Sequence, residues 1–270
     1  MSSGLVDSIM SLLFLPDGTE SKLHRHQGYR ANSCVSWIRN SKLGWWLCRK
    51  LLKKVKIFDG REIRDLMENV VKSNPEIFDG SCFVAAFGKT GKSGDLILYE
   101  FLHRVIIEEP KRVKVTDLPK LPQDSKVVFV EDLIGTGRQS LDYITNSLNL
   151  FLNRSHIPYL LTVCATPEAI DKVQESSNFK VLTGIILRER EYQYYSTANS
   201  YFSEAEKTRL KELNDQLKVP GREDYDRGLL ISFHYSTPNN SMPILWKDNY
   251  TYKNSEHEKK KWFALLPRYF

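Results

Sequence analysis

Glu131 and Asp132 stand side by side after four apolar residues, Val127-Val128-Phe129-Val130. Leu133 and Ile134 follow, then the turn Gly135-Thr136-Gly137 and the residues Arg138-Gln139-Ser140. Adjacent carboxylates at the end of an apolar run can hold sugar hydroxyls or a divalent cation. A Gly-Thr-Gly turn that opens a helix offers backbone N–H groups to an anion. Together they point to a ligand that carries a phosphate and also hydroxyls or a metal ion. A second anion loop, Gly88-Lys89-Thr90-Gly91-Lys92-Ser93-Gly94-Asp95, comes earlier in the chain, directly after the apolar stretch Cys82–Phe87.

Placing these groups requires strands that end where the loops begin. The unbroken apolar run 127–130 suits a central parallel strand buried on both faces. Ligands of open α/β sheets gather at the carboxyl ends of such strands. Further strands are expected at Cys82–Phe87, Val113–Thr116, Tyr159–Ala165 and Val181–Leu187. Helical patterns lie between them: Leu96, Ile97, Phe101, Leu102 and Val105; Leu141, Ile144, Leu148 and Phe151; and Glu168–Glu175. This alternation predicts an α/β fold, a mostly parallel twisted sheet with helices on both faces and right-handed crossovers.

The stretch 127–140 resembles the phosphoribosyl-diphosphate (PRPP) motif of type I phosphoribosyltransferases: apolar strand, two acids, two mostly apolar positions, and a Thr/Gly-rich loop opening a helix. It departs from that motif in having Glu131 first, Gly135 where Thr is frequent, and the atypical Arg138 and Gln139. The resemblance implies that Glu131 and Asp132 are the catalytic pair, holding the ribose hydroxyls directly or through magnesium. It implies a 5′-phosphate site at Gly135, Thr136, Gly137, Arg138, Gln139 and Ser140. In that family a loop placed like 88–95 embraces the diphosphate and its magnesium, which implies roles for Lys89, Thr90, Gly91, Lys92, Ser93 and Gly94.

Ala86–Ser93 also fits a relaxed Walker A pattern, and Val127–Asp132 could serve as its Walker B partner, so a P-loop NTPase is the competing expectation. The first Walker position is Ala86 rather than Gly, and a Walker B strand needs no anion loop directly after its acids.

Toward the carboxyl end, His234-Tyr235-Ser236-Thr237-Pro238-Asn239-Asn240 and Leu266-Pro267-Arg268 resemble the end of a divergent phosphoribosyltransferase-like family of bacterial conflict systems, including retron-associated anti-phage loci. The likeness spans most of residues 80–270. It implies a cytoplasmic effector that binds PRPP or a nucleotide with magnesium, with other proteins or nucleic acid of a defence complex as partners, and it leaves room for a homo-oligomer or for a catalytically inactive sensor or scaffold. Arg188, His234, Asn239 and Asn240 are the hood and acceptor candidates. The expected organisation is a helical N-terminal extension, 1–78, then a phosphoribosyltransferase-like domain, 79–270, whose hood begins near 190.

Composition agrees with a folded, non-membrane protein. Of 270 residues, 41% are hydrophobic and 27% charged, so disorder is not the expectation. The net charge of +6 suits phosphate-rich ligands. Cationic residues cluster at Arg49, Lys50, Lys53, Lys54 and Lys56 and again at Lys259–Lys261, where solvated faces are the plain expectation. Cysteines 34, 48, 82 and 164 lack zinc-ligand spacing and read as free thiols in a reducing compartment. No apolar run has membrane-spanning length.

The N-terminal part reads as helical. Met10, Leu13 and Phe14 make a short apolar face, a Trp-rich pattern runs from Val35 to Val55, and another helix follows Asp59-Gly60 until Asn74-Pro75. These aromatics are expected in the core. His24 and His26 are expected in a surface loop. Ser203-Glu204-Ala205-Glu206 is a capping box for an exposed polar helix that ends near Leu217 and Pro220-Gly221.

Overall fold

The computed structural model describes residues 18–218, 226–253 and 259–268. Met10, Leu13, Phe14 and Pro220-Gly221 lie outside them. In chain order the regular elements begin with α1 (Thr19–Leu23), α2 (Ala31–Ser41), α3 (Trp45–Lys54), β1 (Lys56–Phe58) and α4 (Gly60–Ser73). Then come β2 (Phe83–Ala86), α5 (Ser93–Leu102), β3 (Lys126–Ile134), α6 (Arg138–Asn146), β4 (Ile157–Ala165), α7 (Pro167–Ser176) and β5 (Lys180–Ile186). The last are α8 (Glu189–Tyr192), α9 (Glu204–Leu217), β6 (Ile231–Phe233), α10 (Pro243–Trp246), β7 (Tyr250–Lys253) and β8 (Lys259–Trp262).

The chain forms two compact units. One is Gly60–Arg188; the other joins the residues up to Asp59 with those from Glu189 onward. This differs from the expected division at 78/79. Helix α4 belongs with the sheet, because its stripe of Ile63, Met67 and Val70 is buried and the helix packs on β4 and β5. The remaining N-terminal helices share a core with the carboxyl-terminal segment.

In the Gly60–Arg188 unit four parallel strands run in the order β2-β3-β4-β5. Helices α4 and α5 cover one face, and α6 and α7 the other. Val127 and Phe129 join the core beneath α6 and α7, with Ile144, Ala169 and Val173. The alternate residues Val128 and Val130 are equally buried and point to the opposite face. Such two-sided burial explains why β3 reads as an unbroken apolar run. The expected strand at Val113–Thr116 contracts to a single parallel bridge, Val84 to Arg112, and Val115–Lys120 is a 3₁₀ turn. That bridge lies on the side of β2 away from β3. The chain therefore leaves β2 toward one side and leaves β3 toward the other, which makes the β2–β3 gap a topological switch point.

In the other unit β1 pairs in parallel with β6, Ile57 opposite Ser232, while β7 and β8 form an antiparallel hairpin. The Val35–Val55 pattern is two helices, α2 and α3, parted by Lys42 in a left-handed conformation and by Gly44. Leu47, Leu51, Leu210, Leu217, Ile244 and Trp262 share one core. Indole N–H of Trp37 donates to the Ile244 carbonyl at 3.0 Å. The capping box at Ser203 forms as expected. Helix α9 is not simply exposed, however: it buries Leu210, Asn214 and Leu217. The aromatic expectation holds for Trp37, whereas Trp46 is 72% exposed. His26 is buried rather than in a surface loop, its Nδ1 accepting from the Gly28 N–H at 3.0 Å.

Candidate active site

Parallel register brings the ends of β2 and β3 level. Ala86 lies opposite Val130, and the next N–H, that of Phe87, donates to the Val130 carbonyl. Gly88, just past the end of β2, therefore lies beside Glu131, which is still within β3. A Cβ on Gly88 would lie 3.7 Å from Glu131 Oε2, and the backbone there has φ +95°, a conformation that glycine tolerates. The two loops that follow are the two anion loops read from the sequence, and both sit at the switch point.

Glu131 is buried. Its Oε1 accepts from the Ser93 hydroxyl at 2.9 Å and from the Asp132 N–H at 2.9 Å. Burial pushes its carboxyl well above the usual carboxylate range, and the neighbouring Asp132 adds to the shift. Asp132 is half-buried and accepts from the Leu133 N–H through Oδ1 at 2.7 Å. The pair is therefore unequal, with an inner acid that favours its proton and an outer, more accessible carboxylate.

The first loop runs from Gly88 to Lys92. Lys89, Thr90, Gly91 and Lys92 are exposed, Ser93 is half-buried, and Gly94 is buried. Gly94 has no room for a side chain, because a Cβ would fall 2.0 Å from the Phe87 carbonyl oxygen. This close approach lets α5 start directly over the strand end. Asp95 lies in the first turn of that helix and accepts from the Gly91 N–H at 2.5 Å. Tyr143, from α6, donates its hydroxyl to the Gly88 carbonyl at 2.8 Å and sets its ring edge-on to Phe87 at 5.0 Å. Burial raises the Tyr143 pKa, with Glu131 and Asp95 adding to it.

The second loop, Gly135-Thr136-Gly137, leads into α6. Gly137 is left-handed, φ +71°, and its Cβ position lies only 3.2 Å from the Ala169 carbonyl. The Arg138 N–H donates to the Thr136 hydroxyl at 3.3 Å. Thr166 holds this loop from the next strand end: its hydroxyl donates to the Gly135 carbonyl at 2.7 Å and accepts from the Ala169 N–H at 3.2 Å, capping α7. Thr136 and Ser140 are buried, while Arg138 and Gln139 are exposed.

The structure thus brings Glu131, Asp132, residues 88–94 and residues 135–140 to adjacent strand ends. Arg188 lies just past β5, exposed, at the same carboxyl-end edge of the sheet. His234, Asn239 and Asn240 belong to the other unit. There the His234 N–H donates to the Phe58 carbonyl, and the buried Asn240 accepts from the Arg227 and Leu229 N–H groups through its carbonyl. Thr237 of the same motif is buried, 2.7 Å from the Ser232 hydroxyl, and donates to the Leu266 carbonyl at 2.7 Å, so it clasps the segment to the terminal Leu266-Pro267.

Sequence reasoning gave no role to Tyr143 or Thr166, and named Asp95 only as the end of the first loop. Only Thr166 carried a local signal, a Thr-Pro-Glu helix start. Among the described residues no group of three or more His, Cys, Asp or Glu side chains is placed to hold a metal ion. No helix among them is long and apolar enough to cross a membrane.

The PRTase-CE family model matches residues 35–268. The chain belongs to the PRTase-CE family. The match runs from the second helix of one unit, through the whole sheet unit, to the terminal Pro267-Arg268; the phosphoribosyltransferase-like family was expected from the motifs, and the match reaches further toward the N-terminus than the expected 80–270. No curated protein matches the chain. Solved structures with some likeness include a hypothetical protein from Neisseria gonorrhoeae with bound ppGpp (16% identity, 50% of this chain and 84% of that one, TM-score 0.33). Another is a hypoxanthine-guanine-xanthine phosphoribosyltransferase (13% identity, 56% of this chain and 92% of that one, TM-score 0.33).

Proposed function

We propose that this PRTase-CE protein binds PRPP, or a nucleotide presenting equivalent phosphates, with magnesium, and transfers or hydrolyses the phosphoribosyl group. One observation carries the reading: two anion loops leave neighbouring parallel strands at the switch point, with an unequal acid pair beside them.

The donor set suits magnesium, which is usually held by one or two carboxylates, substrate phosphates and water. Asp132, the accessible acid, is the carboxylate we assign to it, with Glu131 behind. Magnesium held there would supply charge neutralisation for the leaving diphosphate. The chain's own groups do the rest. The N–H groups and lysines of 88–94 stabilise charge on the diphosphate as the C1–O bond breaks. Asp132 orients the ribose hydroxyls and faces the developing oxocarbenium ion. Glu131 positions the pair through Ser93, and its burial favours the protonated form. Gly135–Gly137 and Ser140 take the 5′-phosphate, with Arg138 as an outer clamp. We assign the acceptor side to Arg188, and His234, Asn239 and Asn240 stand as acceptor candidates on the strength of their motif alone. Resemblance to conflict-system proteins supports a cytoplasmic anti-phage effector as the biological setting.

Calorimetry with PRPP and then ATP, each with magnesium, tests this. We expect PRPP to bind, and Asp132→Asn to lose about 100-fold in affinity, the scale of one or two charged hydrogen bonds, with an unchanged melting temperature. ATP binding that Lys92→Ala abolishes, with no PRPP signal, would overturn it in favour of a P-loop NTPase.

A further inference from the structure

Helix α3 reads Trp45-Trp46-Leu47-Cys48-Arg49-Lys50-Leu51-Leu52-Lys53-Lys54 and contains no carboxylate. Its inner face, Leu47, Cys48, Leu51 and Leu52, is buried. Its outer face carries Trp46, Arg49 and Lys53, spaced three and four residues apart and therefore in one line along the helix. Trp46 is 72% exposed, although tryptophan is among the more buried residue types on average. Not every nearby cation is available. Lys50 is held by Glu206 at 2.7 Å, and Lys54 lies over the Tyr201 ring. Arg49 and Lys53 have no acidic partner among the described residues.

A second exposed aromatic lies in the same unit. Phe263 is 50% exposed, with the Lys261 ammonium 5.2 Å from its ring centre. It borders a cavity of about 260 Å³ with Arg30 and Ser33 of the α2 start. Asn40 lines that cavity and also its neighbour, of about 140 Å³, where Lys42 and Arg209 stand with Glu212 as the acidic member. Phe263, Asn40 and Lys42 thus border two cavities that share Asn40, and cations accompany both exposed aromatics.

We infer that the outer face of α3 binds a single-stranded nucleic acid, with Trp46 as a stacking platform and Arg49 and Lys53 as phosphate contacts; Phe263 with Lys261 is a second aromatic–cation pair in the same unit. Charge complementarity selects a polyanion. The exposed aromatic faces select unpaired bases over a duplex, whose bases already stack on one another. The inference does not depend on the PRPP reading, because it uses none of that site's residues.

Fluorescence anisotropy with a labelled 20-nucleotide oligothymidylate, and with a duplex of equal length, tests it on the full chain. We expect the single strand to bind more tightly than the duplex. Trp46→Ala should weaken it about tenfold, whereas Trp46→Phe should largely keep it. Arg49→Ala with Lys53→Ala should lower the slope of log K against log salt by about 1.4, for two phosphates lost. Lys120→Ala, in the other unit, should leave binding unchanged. Absence of binding at low salt, equal binding of the duplex, no effect of Trp46→Ala, or binding only to phosphatidylserine vesicles would each overturn the inference. All substituted side chains are on the surface, so melting curves should match wild type.

Discussion

The Tyr143 hydroxyl donates to the carbonyl of Gly88 at 2.8 Å. Through this bond the helix that follows one anion loop fixes the start of the other. Two loops far apart in sequence are thereby held in one geometry before any ligand arrives, and such preorganisation lowers the cost of binding.

Tyr143→Phe removes the bond and keeps the ring that packs on Phe87. Stability should fall by about 1 kcal/mol, the net value of one hydrogen bond, and PRPP affinity should fall by about three- to tenfold as the first loop loosens. Thermal melting and calorimetry on the same preparation separate the two effects. An affinity equal to wild type would show that the loop needs no such tether.

Glu131 sets the direction of a pH dependence. Its folded-state pKa is raised, so the folded chain binds a proton that the unfolded chain has already released. Its contribution is therefore most favourable below the ordinary carboxyl range and is lost as pH rises toward the folded value. Glu131→Gln, which imitates the protonated acid, should flatten that decline, and at neutral pH it should be at least as stable as wild type. Denaturant melts from pH 4 to 8 measure both slopes, and parallel curves would contradict the expectation.

His26 acts in the opposite sense and in the other unit. Burial, followed by the neighbouring His234, lowers its pKa to about 4. Its Nδ1 accepts from the Gly28 N–H, so protonation would replace an acceptor with a second donor. The unfolded chain takes up this proton near the ordinary value of 6.5, so stability is lost as pH falls from about 6.5 through 4. A shift of that size corresponds to about 3 kcal/mol at most. His26→Asn should remove this acid sensitivity while lowering stability at neutral pH. Titration of the histidine C2 protons by NMR would expose an ordinary pKa and end the prediction.

Thr166→Val deletes both the bond to Gly135 and the cap of α7 at nearly constant volume. We expect a loss of about 1–2 kcal/mol from the cap and its partner. Phosphate affinity should fall as well, because Gly135-Thr136-Gly137 loses its outside support. Thr166→Ser should restore both. Melting curves and inorganic-phosphate titrations provide the comparison.

The centre of the site was legible because its signal is local. An apolar run buried on two faces, two acids and a glycine turn are all contiguous, and the structure keeps the run and the acids in one strand, β3, with the turn directly after it. Tyr143 and Thr166 were not legible as loop anchors, since their partners, Gly88 and Gly135, are met only once the strands pair. Strand β1 was missed for a similar reason. Lys56-Ile57-Phe58 is too short to show a period, and its partner, Ile231–Phe233, lies near the other end of the chain. Helix α9 was read by its charged residues, yet Leu210, Leu213 and Leu217 suffice to dock it. The division of the chain was misplaced because α4 resembles the helices before it in pattern and differs only in what it packs against.

The pairing of β1 with β6 also sets an order of events in the cell. Residues Gly60–Arg188 leave the ribosome complete while Ile231–Phe233 has yet to be made. The sheet unit can thus fold during synthesis, whereas β1 must wait with an unpaired edge until Ile231–Phe233 emerges. A product truncated before β6 would carry an intact pair of anion loops in one unit and an unfinished, aggregation-prone edge in the other.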